Sequence, residues 1–230
     1  MDERLTPPWR ALDAIPVAIG AILATSLIGS LLALALPDDT ALVLVGFAFE
    51  ASLAGITLAW VHYRHRGAIP ALHLGSSRPR ADIGFGLASG GALYVGVVFV
   101  VAPALFVLIS LVTGEPVSTP EQQVLPSDPG NLELVLGGIF AIVAAPIGEE
   151  LFFRGLLFGG LRRRYGFWAS ALISGAVFGI FHPPPLLMPL LFTVGVGLAW
   201  VYERRGSLIP SMVAHAVFNI VGFTLLAQGT

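Results

Sequence analysis

Long apolar runs separated by short polar segments dominate the chain. We distinguish seven runs, at approximately Ala14–Leu36, Ala41–Tyr63, Ile83–Val112, Leu134–Leu161, Phe167–His182, Leu186–Tyr202 and Leu208–Ala227. A helix needs about 20 residues to cross a bilayer, and the first three runs and the last run meet this length. The fourth run is longer, whereas the fifth and sixth are short and are joined by the prolines at 183–185. The pattern predicts an all-α, polytopic transmembrane bundle of about seven helices in a single domain.

The composition agrees with a membrane protein and excludes several kinds of chemistry. Hydrophobic residues make up 56% of the 230 residues, charged residues make up 11%, and the mean hydropathy is +0.85. A soluble domain carries roughly 25% charged residues, so this low charge argues against a soluble protein. Cysteine and lysine are both absent, which excludes disulfides, thiolate metal sites and lysine Schiff bases. We expect the lipid bilayer as surroundings and no nucleic-acid partner, and the sequence leaves the oligomeric state open.

The arginines predict how the helices are oriented. All but one of the 12 basic residues lie before the first run or in alternate connections, and all are arginine. They are Arg4, Arg10, Arg64, Arg66, Arg78, Arg80, Arg162, Arg163, Arg164, Arg204 and Arg205. The other connections, including the predicted outer loop Gly114–Asn131, contain no arginine. The positive-inside rule therefore places the N-terminus in the cytoplasm and the C-terminus outside a multi-pass protein of the cell membrane. The four tryptophans, Trp9, Trp60, Trp168 and Trp200, lie at the inner ends and predict an anchoring aromatic belt.

The remaining polar residues lie within the apolar runs, where each ionisable one costs ~2.5–3.5 kcal/mol on insertion scales. They are Glu50, Glu149, Glu150, Arg154, His182, His215 and Asn219. On a helix, Glu150 and Arg154 are four residues apart and can pair, whereas Glu149 points about 100° away. We therefore expect Glu149 to be the unpaired carboxylate that a general base requires. The alternative is that both glutamates neutralise Arg154 in a buried cluster.

Two histidines and an amide are expected at depths broadly similar to that of Glu149. His182 precedes the prolines, and His215 and Asn219 are four residues apart on one helix face. At 1.5 Å per residue, Glu149, Asn219 and His215 lie about 18, 16 and 10 Å from the inner ends of their runs. His182 lies deepest, at about 22 Å. Scattered polar residues that only join helices need not converge in this way, so the convergence favours one site.

A carboxylate with two imidazoles is compatible with two kinds of hydrolysis. It can activate water while the other donors stabilise an oxyanion, or Glu149, His182 and His215 can bind Zn²⁺. HExxH and GxSxG motifs are absent, and Ser174 and Ser211 lie nearby without an evident triad. Two other classes stay open. One is a non-catalytic scaffold or immunity protein, and the other is an ion- or proton-coupled transporter, although we find no internal repeat of the kind common in transporters.

Three motifs in this order resemble the CPBP family of CAAX proteases and bacteriocin-processing proteins, also called Abi, which includes the Ras-converting CAAX endoprotease. They are Glu149-Glu150-x-x-x-Arg154, Phe178-x-x-x-His182 and His215-x-x-x-Asn219, and the resemblance covers about Leu136–Gly222. It implies an intramembrane endopeptidase that acts on a membrane-associated peptide or protein.

The resemblance also implies a role for each matching residue. Glu149 would activate water with help from His182, and His215 and Asn219 would form the oxyanion hole. Glu150 and Arg154 would support them. Zinc dependence stays open, and so does the question of whether the substrate is prenylated.

Glu50 has no place in these motifs. We interpret it as a polar contact within the bundle, and a role beside the active-site cavity is the alternative hypothesis. Full proteolysis by a Glu50→Gln variant would exclude that alternative.

Overall fold

The computed structural model describes residues 7–115, 130–182 and 184–229, with side chains as far as 224, and this part of the chain contains no strand. Within these residues seven long helical segments follow one another, with a short 3₁₀ helix, Ile69–Leu72, between the second and the third. We number the long segments in chain order. They are α1 (Ala11–Ala35), α2 (Asp38–Arg64), α3 (Pro79–Thr113), α4 (Asn131–Arg162), α5 (Phe167–Ile180), α6 (Pro185–Arg205) and α7 (Leu208–Gly229). Most of the predicted outer loop lies outside the described residues.

The helices confirm the predicted helical bundle and match the seven apolar runs to within a few residues at most ends. In the described part of the chain, five helices are long and apolar enough to cross a membrane, namely α1, α2, α3, α4 and α6. Helix α5 has 14 residues and is shorter, as its run predicts. The prolines after it agree with this early end, because a proline lacks the N–H that would continue the helix.

Contacts among the arginine-bearing connections place them at one end of the bundle. Arg162, after α4, binds Glu203 of α6 through Nε and Nη2, at 3.1 and 2.8 Å. Arg205, at the end of α6, binds Asp82 of α3 with an Nε–Oδ1 distance of 2.6 Å. Arg163 donates to the carbonyl of Trp9, before α1, at 3.3 Å. Some of these arginines therefore also hold helix ends together, in addition to the topological role predicted for them.

The predicted tryptophan belt is wrong for Trp9. This side chain is fully buried, and its Nε1–H donates to the carbonyl oxygen of Leu156 in α4 at 3.0 Å. Trp168 and Trp200 are 67% and 45% exposed and fit the predicted belt. The sequence could not separate them, because an indole at a helix end suits either lipid or a buried acceptor.

Helix α4 occupies the centre of the bundle, and parts of it are wound more widely than an α-helix. Its segment Glu150–Phe158 is a π-helix in which all nine residues are buried. A second π-helical segment, Phe140–Ala144, ends two residues before Pro146, and Val97–Val101 of α3 ends two residues before Pro103. A proline ring clashes with the carbonyl four residues earlier, so the wider turn relieves that clash. The 1.5 Å rise used for depth therefore does not hold along α4.

Glycines allow two helix pairs to approach closely and so fix the helices that carry the histidines. In α3, a Cβ on Gly86 or Gly90 would lie 2.7 Å from the carbonyl of Pro210 or 2.5 Å from that of Ala214 in α7. In α5, a Cβ on Gly179 would lie 2.6 Å from the carbonyl of Met188 in α6. Small residues that bring backbones together are the usual means of packing helices in lipid.

Candidate active site

The polar residues predicted from sequence meet at one cavity of about 400 Å³. Glu149, His182, His215 and Asn219 line it, together with Glu50. Seven phenylalanines form much of the remaining wall: Phe49, Phe140, Phe153, Phe178, Phe181, Phe218 and Phe223. The cavity therefore joins a small group of polar side chains to a large apolar surface, which is the usual composition of a ligand site.

Glu149 lies between the two histidines and is 7% exposed. Its Oε1 is 3.3 Å from Nε2 of His182, and its Oε2 is 3.8 Å from Nε2 of His215. The second distance is too long for a hydrogen bond, and no described residue donates to Oε2. One carboxylate oxygen thus stays without a protein hydrogen bond while both imidazoles face the group.

His182 is oriented by its own helix. Its Nδ1 is 2.7 Å from the carbonyl oxygen of Phe178, one turn earlier. A carbonyl only accepts, so Nδ1 carries the hydrogen, and Nε2 is the atom turned to Glu149. The ring also packs on Phe178 at a centroid distance of 4.5 Å. Because α5 ends at Ile180, the chain turns before His182, and the greater depth expected for this residue does not separate it from Glu149.

Glu150 connects α4 to α7. Its Oε1 accepts from Nη1 of Arg154 at 2.7 Å and from Nδ1 of His215 at 3.1 Å, and its Oε2 accepts from Oγ of Ser211 at 2.6 Å. The predicted Glu150–Arg154 pair is therefore confirmed. The Nδ1 bond turns Nε2 of His215 toward Glu149. Ser211, which lacked a role in the sequence, is a partner of Glu150.

Arg154 is fully buried and contacts a third helix. Its Nη2 donates to the carbonyl oxygen of Gly195 in α6 at 3.2 Å, and its guanidinium lies 4.6 Å from the centre of the Phe178 ring. Such a cation–π contact adds to the attraction of the ion pair. Arg154 forms no direct ion pair with Glu149 in the described residues, so the two adjacent glutamates have different partners.

Asn219 is one helical turn beyond His215 and lies on the cavity wall. Its Nδ2 donates to the carbonyl oxygen of Ala141 in α4 at 2.7 Å. This bond is an interhelical contact of the kind considered as the alternative in the sequence. An amide nitrogen has two hydrogens, so the bond to Ala141 fixes the group and leaves one N–H available to the cavity.

Sequence reasoning gave no firm role to Glu50 and did not identify the aromatic wall. Glu50 is 4% exposed and lines the cavity from α2, and no hydrogen bond or ion pair joins its side chain to a described residue, so the structure does not show the polar contact predicted for it. It was visible only as a charge inside an apolar run. The phenylalanines gave no signal of their own, because aromatic residues are common in any apolar helix.

Zinc binding by Glu149, His182 and His215 would require their donor atoms to face one point. Both histidines turn Nε2 toward Glu149 and donate from Nδ1, which is also how metal-bound histidines are oriented. Among the described residues, however, no three histidine or acidic side chains are gathered as a metal site.

Comparison with known proteins supports the resemblance over the helices that carry this site. Residues 131–221 match a family model described as type II CAAX prenyl endopeptidase Rce1-like. The Bacillus subtilis protein named "Putative membrane peptidase YdiL" is 32% identical over 81 residues, 35% of this chain and 33% of that protein. The Lactococcus lactis protein named "UPF0177 protein YxdF" is 28% identical over 95 residues, 40% of this chain and 51% of that protein. No solved structure matches.

The similarity covers only part of this chain and part of each relative. The chain covers about a third of the first relative and about half of the second. The family match runs from the start of α4 into α7 and includes all three motifs. It does not reach α2, so Glu50 lies outside it. The similarity to this family of membrane peptidases is thereby confirmed for residues 131–221.

Proposed function

Because residues 131–221 match a family of membrane endopeptidases, we propose that this chain hydrolyses a peptide bond within the membrane and that Glu149 activates the attacking water. The observation that most strongly supports Glu149 as the base is that one of its carboxylate oxygens has no hydrogen-bond donor among the described residues. Oε2 is buried at the cavity and receives no hydrogen bond from a described residue. A carboxylate oxygen in that position can accept a proton from water.

The two histidines have separate tasks in this mechanism. In this mechanism the His182 ring carries a hydrogen on each nitrogen, so Nε2 donates to Oε1 of Glu149, at 3.3 Å, and Nδ1 donates to the Phe178 carbonyl. Glu149 takes a proton from water, and the hydroxide adds to the scissile carbonyl carbon. The negative charge then develops on the carbonyl oxygen, which requires nearby donors.

His215 and Asn219 supply those donors. The free N–H of Asn219 points from a side chain already fixed to Ala141, and fixed donors stabilise a developing oxyanion without reorganisation. His215 is held by the bond from its Nδ1 to Glu150, and its Nε2, which carries a hydrogen in the imidazolium form, is the donor to the oxyanion. Glu150 and Arg154 take no part in the bond changes and hold α4, α6 and α7 in register around the site.

The wall of the cavity indicates the class of substrate. Phenylalanines dominate it, and its polar atoms are few. We propose that the substrate presents an apolar segment of a membrane-associated peptide or protein, with or without a prenyl group. Stacking and apolar burial against these rings would hold the peptide while the carbonyl faces Glu149.

Peptide profiling of membranes tests the proposed function. Membranes from cells that produce the wild type, a Glu149→Gln variant or an Asp39→Asn variant are compared by mass spectrometry, with prenylated peptides included. Asp39 is an exposed carboxylate on α2 and controls for the loss of one negative charge. We expect new peptide termini with the wild type and with Asp39→Asn, and their absence with Glu149→Gln.

Other outcomes would identify the alternative classes. Identical peptide profiles for the wild type and Glu149→Gln would contradict the proposed peptidase function. If the same variant also leaves the cellular phenotype unchanged, a non-catalytic scaffold is indicated. Metal analysis of the purified protein tests the mechanism separately. We expect activity to survive chelation, whereas stoichiometric zinc with loss of activity on chelation would contradict a metal-free reaction.

A further inference from the structure

The carboxyl group of Glu50 is a buried polar group that the proposed mechanism leaves unused. It projects from α2 into the same cavity as Glu149 and is 4% exposed. No hydrogen bond or ion pair joins its side chain to a described residue, and its Oε2 is buried without a partner. Buried polar groups in proteins nearly always have a hydrogen-bond partner, so an unpartnered carboxyl at a cavity calls for a functional explanation.

The packing of α2 on α4 places Glu50 against the helix backbone that carries the reacting carboxylate. Gly148 immediately precedes Glu149, and a Cβ on Gly148 would lie 2.9 Å from the Glu50 carbonyl oxygen and 3.2 Å from its Cα. The same Cβ would collide with Oε2 of Glu50. Only glycine therefore permits this approach, which sets the Glu50 side chain against the backbone that carries Glu149.

The two carboxyl groups have opposite surroundings. Glu149 faces His182 and His215, which can compensate its charge. Neither histidine, nor Arg154, forms a hydrogen bond or ion pair with Glu50 in the described part of the chain. An ionised carboxylate without a compensating partner is very unfavourable in apolar surroundings, and two adjacent carboxylates do not both ionise readily. Glu149 is thus suited to be the carboxylate, and Glu50 is suited to keep its proton.

We propose that Glu50 is the general acid of the reaction, which protonates the leaving amine. This inference rests on the proposed peptidase function and assigns the step that Glu149 alone leaves open. A peptide nitrogen is a poor leaving group unless it receives a proton as its bond to carbon breaks. A neutral carboxyl at the cavity wall can provide that proton.

These two carboxyl groups account for every proton transferred in the reaction. Glu149 takes one proton from water, and the resulting hydroxide bonds to the carbonyl carbon. The C–N bond then breaks, its electron pair stays on nitrogen, and nitrogen takes the proton of Glu50. The products are a carboxylic acid and an amine, with Glu149 protonated and Glu50 ionised. Transfer of the proton from Glu149 to Glu50 through the cavity that both side chains line restores both groups.

Leaving-group dependence tests this role. The assay uses purified full-length protein in proteoliposomes with two substrates: a peptide found by the profiling experiment, and the 4-nitrophenyl ester of its acyl half. A nitrophenolate leaves without a proton, so the ester does not need the acid. We expect Glu50→Gln to lower kcat for the peptide about 100-fold or more, with little change in KM, and to hydrolyse the ester at close to the wild-type rate.

Two other variants separate failure of this inference from failure of the proposed function. Thr57→Val removes a buried hydroxyl seven residues along α2 and away from the cavity, and we expect it to behave as the wild type. Glu149→Gln should lose activity toward both the peptide and the ester. If Glu50→Gln cleaves the peptide at the wild-type rate, or loses activity toward the peptide and the ester equally, Glu50 is not the general acid. The proposed peptidase function would remain supported in both cases. Failure of the wild type to cleave either substrate would overturn both proposals.

Infrared spectroscopy tests the protonation of Glu50 without any substrate. The protein in lipid should show a carbonyl band of a protonated carboxyl group that is lost in Glu50→Gln and retained in Thr57→Val and Glu149→Gln. An identical band in wild type and Glu50→Gln would overturn the proposal.

Discussion

Two adjacent glutamates have different partners because the helix turns their side chains to different neighbours. Glu150 is fully buried and receives three hydrogen bonds, from Arg154, His215 and Ser211. Glu149 keeps one oxygen without a protein donor. The spacing of Glu150 and Arg154 predicted their pair from sequence. The bonds to His215 and Ser211 could not be predicted, because they depend on how α7 packs against α4.

The burial of Arg154 predicts a large effect on stability. Replacing it with methionine removes the cation and leaves the Glu150 charge uncompensated, which typically costs about 3–5 kcal/mol in a buried pair. We expect Arg154→Met to lower the free energy of unfolding in mild detergent by this amount. Arg64→Met, at an exposed arginine on α2, serves as the control and should change it by less than about 1 kcal/mol. Equal stability of the two variants would contradict a stabilising role for the buried Glu150–Arg154 pair.

At the scale of helices, the site depends on close backbone contacts and on the local widening of α4. The apolar pattern predicted where each helix lies but not the π-helical segment Glu150–Phe158, since every residue there is buried and no polar face marks the winding. The approach of α2 to α4 was also not predictable. Gly148 permits it, and a single glycine in an apolar helix has no unique meaning in a sequence.

The close contact at Gly148 predicts that alanine is destabilising at this glycine but not at a glycine with free space around it. Gly148→Ala would force α2 and its Glu50 side chain away from α4, and overpacking of this kind costs about 1–3 kcal/mol. We expect lower stability in detergent and reduced peptide cleavage. Gly55→Ala is the matched control, because nothing lies within 4 Å of its added Cβ. It should be neutral or slightly stabilising, since alanine favours helix more than glycine. Wild-type stability and activity in Gly148→Ala would show that the contact is unimportant.

At the scale of the molecule, the bundle follows from the distribution of polar residues. Seven apolar runs gave seven helices, because runs of this kind bury their backbone polar groups only as helices in lipid. The arginine-bearing connections gather at one end, as the alternation of charge predicts. The convergence of the three motifs on one cavity was also predictable from their order and depth. The identity of Trp9 as a core residue was not, since only the folded chain brings it to Leu156.

The orientation in the membrane stays a prediction, and the natural absence of cysteine makes it easy to test. Single cysteines are placed at Asp39, in the first turn of α2, and at Ser77, between α2 and α3, both of which are exposed. A membrane-impermeant maleimide should label Asp39→Cys in intact cells and Ser77→Cys only after lysis, because the arginine-rich side faces the cytoplasm. The reverse labelling would contradict the predicted topology.

The most direct test of the central claim is the rate of peptide hydrolysis by purified wild type and Glu149→Gln in proteoliposomes. Glutamine keeps the size of the side chain but cannot take a proton from water. We predict that kcat falls about 10²- to 10⁴-fold while KM and thermal stability change little. A Glu149→Gln protein that cleaves the same peptide at the wild-type rate would contradict the assignment of Glu149 as the base.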